Sequence, residues 1–163
     1  MEPETLFKSN YDDVKEFTEG ASGKPCPTVP EKMTKEEVSF LLKMVLSEMT
    51  ELAQTVTGSY EEALQMVKDS ADVDPSNHPT PEDDLEVIAE QGDAMVDAWY
   101  YMLNSAAKRG NNLSMIFDEV HGANMNKRDP TTKQFIRRES DGKILKPAGW
   151  KPADIVQVVK NMK

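Results

Sequence analysis

Two short rows of acidic residues are the first features of this sequence able to do chemistry. Glu48 and Glu51 stand three residues apart in one helical stretch, and Glu90, Asp93 and Asp97 stand three and four apart in another. At those spacings side chains share one face of a helix. Each row borders an apolar stripe: Val45, Met49 and Leu52 flank the first, and Ala89, Val96 and Tyr100 the second. Carboxylates beside a buried seam repel one another and lose hydration, so a cation should accompany them. Mg²⁺, or Mn²⁺ in its place, suits such a set, because it takes hard oxygen ligands and keeps waters that phosphate oxygens can replace. Spacing alone does not require this, since acidic pairs one turn apart are common on solvated helix surfaces.

The other reactive residue types offer less. His78 falls in a Pro-rich stretch and reads as an exposed loop residue, while His121 reads as a hydrogen-bonded structural histidine beside Val120 and Asn124. Cys26 has only Lys24 as a basic neighbour, which argues against a nucleophilic thiol. The ten methionines read as core filling.

Composition narrows the class. The chain has 163 residues, enough for one ordinary domain, with 38% hydrophobic and 29% charged residues. That balance suits helices with heavily charged outer faces, or subunits that share a core. A net charge of -10 argues against nucleic acid as a partner, because binding its backbone needs clustered Lys and Arg. One cysteine excludes an intramolecular disulfide framework and fits a reducing compartment. No apolar run reaches the ~18 residues of a membrane helix, and the N-terminus lacks the apolar core of a signal peptide. The expectation is a cytoplasmic protein that does not engage a membrane.

The elements that must position the acidic rows are legible from caps and periodicity. Asn10 to Gly20 reads as a short helix, followed by a linker over Ala21 to Pro30. Thr34 and Glu37 form a capping-box pattern, and Val38, Leu41, Val45, Met49, Leu52 and Val56 recur at helical spacing up to a stop at Gly58. Ser59 and Glu62 repeat the signal for a shorter helix. Thr80 with Pro81 predicts the start of a long helix carrying Leu85, Ile88, Gly92, Met95, Trp99, Met102 and Ala106, ended by Gly110. Leu113 to about Arg128 is a further helix with Ile116, Phe117, Val120 and Ala123 inward. Asp141-Gly142 between two short apolar runs predicts a β-hairpin, and Ala153 to Met162 a terminal helix. The fold class expected is all-α: a four-helix-bundle-like core with a short C-terminal β-hairpin and terminal helix. Residues 1–33 would form a short helix and linker, and residues 34–163 the domain proper.

The order of these parts resembles the all-α nucleoside-triphosphate pyrophosphohydrolase superfamily, in particular its MazG-type and phosphoribosyl-ATP-pyrophosphohydrolase-like branch. Glu48-Met49-Thr50-Glu51 matches the Glu-x-x-Glu half of that family's hallmark. More specific are the helix segment from Asp97-Ala98-Trp99-Tyr100 to Gly110, the string Val120-His121-Gly122-Ala123-Asn124-Met125-Asn126-Lys127, and the string running from Asp141 to Ile155. The resemblance spans roughly Glu36 to Ile155, leaving the first thirty or so residues outside it. It implies that Glu48, Glu51 and Asp97 are metal ligands, and that Asn124 and Lys127 contact the phosphates or the bound nucleotide. The chain departs from the hallmark at Ala94, where the second helix should carry Glu. Asp93, one turn before Asp97, can substitute; alternatively Glu90-Gln91-Gly92-Asp93 is itself a displaced Glu-x-x-Asp. The metal set preferred is Glu48, Glu51, Asp93 and Asp97.

What the resemblance implies is Mg²⁺-dependent hydrolysis of a nucleoside triphosphate to the monophosphate and pyrophosphate; the sequence leaves open whether the role is house-cleaning of non-standard nucleotides or a more specialised one. Glu48 or Glu51 would act as general base, and Lys127 with Lys143 or Lys146 would offset charge on the departing pyrophosphate. Tyr100 and Trp99 could stack on a base, although core packing is the commoner fate of aromatics at helical spacing. The alternatives are a phosphoribosyl-ATP pyrophosphohydrolase of histidine biosynthesis and, given Ala94, a non-catalytic helical protein that binds nucleotide or metal. Members form dimers or tetramers, so a homodimer or homotetramer is expected.

Overall fold

Local side-chain chemistry sets most of the helix starts. The computed structural model of the protein describes residues 9–71 and 81–162, and among them are six helices and no sheet. These are α1 (Asn10–Ser22), α2 (Lys35–Gln54), α3 (Tyr60–Ser70), α4 (Asp84–Ala107), α5 (Leu113–Met125) and α6 (Ile155–Asn161). Thr34 and Glu37 cap each other's amides reciprocally at the head of α2, and Ser9 and Asp12 do the same for α1. Ser59 accepts from the Glu62 amide to open α3, while the Glu62 carboxylate turns back to the Gly58 amide. Asn112 and Asp154 cap α5 and α6.

Three expectations are corrected. α4 begins at Asp84, not at Pro81, because Asp83 accepts from the Glu86 amide at 2.9 Å and the Glu86 carboxylate accepts from the Glu82 amide at 2.7 Å. Thr80, His78 and the rest of 72–80 lie outside the described residues. α5 stops at Met125, short of Arg128, as the Lys127 and Arg128 amides turn to the carbonyls three residues back. The C-terminal β-hairpin does not form: the described residues contain no strand, only isolated antiparallel bridges, Arg128 with Phe135 and Arg137 with Ile144. A turn closed at Gly142 (φ 69°) is present, with the Leu145 amide donating to the Ile136 carbonyl. It cannot lengthen into a ladder, because Pro147 has no N–H on one arm and the Gln134 carbonyl is committed to the Asp129 amide on the other.

The chain divides into two units. In the unit of residues 30–96, α2 packs along α3, and the buried residues are the small ones that let the two helices approach: Thr50, Ala53 and Ala63. Ahead of α2, Lys32 pairs with Asp84, and the Met33 backbone exchanges two hydrogen bonds with the Gln91 amide, at 2.8 and 3.1 Å. In the unit of residues 1–29 and 97–163, α5 packs against α1 and α6. Phe17 meets Phe135 edge-on at 5.2 Å, and Gly20 makes room for that ring, since a Cβ there would lie 2.9 Å from it. Arg128 lies against the same ring and pairs with Glu16 at 3.2 Å. The Trp150 indole donates to the Ala123 carbonyl at 2.8 Å, and the Glu119 carboxylate accepts from the Asp154 amide, fixing the C-terminal segment on α5.

The stripes expected to face a core are largely uncovered. Val45, Leu52 and Val56 of the first stripe and Leu85, Met95, Trp99 and Met102 of the second are exposed. So are Met44, Met66 and Met115, which corrects the reading of the methionines as core filling.

Candidate active site

The acidic rows and a lysine cluster are the two chemically distinctive parts of the structure. Glu48 and Glu51 sit in the last two turns of α2, which also exposes Val45, Leu46 and Leu52. Asp93 and Asp97 sit one turn apart on α4, beside exposed Met95, Val96, Trp99 and Tyr100. All four carboxylates are exposed, and none takes part in a hydrogen bond or ion pair among the described residues. No three His, Cys, Asp or Glu side chains of the described residues gather in a group able to hold a metal ion. What each helix offers is a pair of hard oxygen donors. That chemistry fits Mg²⁺, which is commonly held by one or two carboxylates and completed by water and substrate phosphate. Glu90 is exposed on α4 as well, one turn before Asp93.

The lysine cluster is built where α5 ends. Lys127 Nζ donates to Asn124 Oδ1 at 2.7 Å, so the pair singled out in the sequence forms one unit at the last turn of the helix. The helix dipole favours a cation there. Lys146 Nζ lies 4.2 Å and Lys127 Nζ 5.7 Å from the centre of the Trp150 ring. Partial burial, then the neighbouring charges of Lys146 and Lys143, hold the Lys127 ammonium below the ordinary lysine range. Lys127 and Lys146 also line a cavity of about 330 Å³ with Asp129, Ile136 and Leu145. Three like charges held together by the fold create a demand for an anion.

Two site aromatics stand apart from this cluster: Tyr100 and Trp99 are exposed on α4. His121 stacks parallel to Phe117, with its Nε2 3.8 Å from Asp13 Oδ1, in keeping with a structural histidine. The role of Trp150 was missed by sequence reasoning. Its signal was an aromatic between Lys146 and Lys151 in a proline-bracketed turn, which is the composition of a ring clamped under cations.

Residues 14–124 match the family described as phosphoribosyl-ATP pyrophosphohydrolase. The chain belongs to that family. It is accordingly a pyrophosphohydrolase. The match begins inside α1, so the family likeness reaches further toward the N-terminus than the string motifs indicated, and it ends at Asn124, short of the lysines at 127, 143 and 146. A crystal structure of a "putative NTP pyrophosphohydrolase" from Exiguobacterium sp. 255-15 is similar over 95% of this chain and 96% of that one, with a TM-score of 0.82 and 28% identity. That likeness takes in the C-terminal segment which the family match leaves out. No curated protein sequence matches the chain.

Proposed function

We propose that the pyrophosphohydrolase acts on nucleoside triphosphates, cleaving between the α- and β-phosphates to release the monophosphate and pyrophosphate. The observation that carries this reading is the cluster of Lys127, Lys143 and Lys146 at the Asn124 end of α5. In a chain of net charge -10, a fold that forces three ammonium groups together is suited to a polyphosphate. Glu48 and Glu51 with Asp93 and Asp97 would hold Mg²⁺, or Mn²⁺ in its place. When bound, that ion polarises phosphoryl oxygens and lowers the pKa of an attached water. Glu48 or Glu51 takes the proton from the attacking water, Asn124 orients Lys127, and the lysines meet the charge that develops on pyrophosphate. Tyr100 serves the base by stacking.

The uncovered faces support a homodimer or homotetramer. An apolar groove of about 440 Å³ runs between α2 and α3, lined by Leu46, Met49, Leu52, Val56, Met66 and Val67. α4 presents Met95, Val96, Trp99 and Met102 to solvent. One chain carries both a groove and an apolar helix face, so a second copy supplies the cover that each lacks and completes a four-helix core. No helix of the described residues is long and apolar enough to cross a membrane, and the lone Cys26 with a nucleotide substrate fits the cytoplasm.

One experiment tests the activity: incubation with a nucleotide panel, with Mg²⁺ or with chelator, reading pyrophosphate. Release that needs the metal is expected; a folded sample that releases none from any nucleotide overturns the reading. Glu51→Gln and Asp97→Asn should each lower turnover by about 10²-fold or more with helicity unchanged. The family description favours a second reading, phosphoribosyl-ATP as substrate. Its inclusion in the panel separates the two.

A further inference from the structure

A second basic cavity lies between the end of α1 and the segment that follows α5. It measures about 630 Å³ and is lined by the end of α1, Glu19 to Pro25, and by Arg128, Lys133, Gln134, Phe135 and Arg137. It shares no lining residue with the cavity at Lys127 and Lys146. Four cations face it: Lys24, Arg128, Lys133 and Arg137. Among the described residues, Arg128 is the one of these four in an ion pair, with Glu16. Lys133 lends some charge to Asp129, whose carboxylate is held mainly by the Thr132 and Thr131 amides. The carboxylate in the lining, Glu19, is occupied in accepting from the Cys26 amide at 2.9 Å. Lys133 is also the non-glycine residue with a left-handed backbone among those described, at φ 59°. Such a conformation carries a cost, and residues that hold it cluster at ligand clamps.

We infer that this cavity is a second anion site, distinct from the lysine cluster, for a phosphorylated small molecule of nucleotide size. The four cations outnumber the carboxylates beside them, Glu19, Glu16 and Asp129, and that surplus in a strongly acidic chain favours a bound anion. The volume is several times what a lone phosphate fills and falls in the range of small-molecule pockets. Arg128 and Arg137 can meet phosphate oxygens through their forked N–H groups, and Lys24 and Lys133 add point charges. The Phe135 ring, braced by Phe17 and Arg128, gives the cavity an apolar wall. The inference stands whichever nucleotide the pyrophosphohydrolase cleaves.

The test is calorimetry on the full chain in excess chelator, with ADP and pyrophosphate as probes. Lys127→Met/Lys146→Met protein should still bind ADP at one saturable site per chain. Adding Lys24→Met/Arg137→Met should weaken that binding by about tenfold or more, and pyrophosphate should bind less tightly than ADP. Absence of saturable ADP binding in the first variant overturns the site. So does binding that survives the second pair of changes. Equal affinity for pyrophosphate overturns the nucleotide-sized assignment. Amide chemical shifts of the unmutated protein provide a check free of folding effects. Changes on ADP addition should include Gly20–Gly23 and Lys133–Arg137, and changes confined to 124–127 and 143–150 would sink the proposal.

Discussion

Lys127 is the residue at which charge, burial and the proposed phosphate contact meet. Its ammonium titrates below the ordinary 10.5 because of burial and of Lys146 and Lys143. Between the folded and unfolded values the unfolded chain binds more protons, so the penalty is present in full below the folded value and fades as pH rises through it. A polyphosphate reverses the balance by restoring the charged form. Binding of sulfate, an anion that does not itself titrate in the alkaline range, should therefore take up protons as pH approaches the ordinary lysine range. Calorimetry in buffers of different ionisation enthalpy measures this, and Lys127→Met should abolish it. No uptake in the unmutated protein would remove Lys127 from the phosphate site. Ala94 poses the other residue-scale question. If Asp93 stands in for the absent Glu, Asp93→Asn should lower turnover about as much as Asp97→Asn, whereas Glu90→Gln should leave it within about threefold. Loss of turnover in both Asp93→Asn and Glu90→Gln, with Asp97→Asn tolerated, would select the displaced Glu90/Asp93 pair.

At the scale of elements, stability is concentrated in caps and in a few small-residue contacts. Thr34→Ala should cost about 1 kcal/mol by undoing the reciprocal cap of α2, read as a shift in the denaturant midpoint. Phe135→Ala should release α1, because Phe17, Gly20 and Arg128 all converge on that ring. Faster amide exchange across 10–22, with α2 and α3 unaffected, is the expected signature. These elements also show what a sequence makes legible. The caps at Thr34 and Ser59 involve partners three residues apart, so the sequence alone carries them. The start of α4 was misjudged because Asp83 and Glu86 compete with the Thr80/Pro81 signal, and both are plausible locally. The hairpin was misjudged because Asp141-Gly142 specifies the turn but not its arms, which Pro147 and the Asp129–Gln134 loop cut short. Glu48, Glu51 and Asp97 rest on spacing and family pattern and remain proposals for the metal site. The pairing of Lys127 with Lys146 was expected from the sequence, but the Trp150 ring against both, more than twenty residues from Lys127, was not.

For the whole molecule, the uncovered apolar residues bear on the proposed association of copies. Sedimentation should give a dimer or tetramer mass, and Leu46→Glu, at the groove between α2 and α3, should shift it toward monomer. If four-helix packing is completed by a second copy, the same change should remove turnover as well, and activity should fall on dilution in step with dissociation. A fully active monomer would overturn the shared-core reading. Burial could not be read from helical periodicity, because a stripe facing a partner and a stripe facing a core look alike in sequence.

The left-handed backbone at Lys133 sets stability against occupancy at one position. Glycine adopts that conformation without the steric cost, so Lys133→Gly should raise the melting temperature slightly while removing a charge from the cavity floor. A protein improved for heat tolerance by this change would be a poorer receptor for anions. Screens for thermostable variants should therefore be expected to erode that cavity first, unless ligand is present during selection.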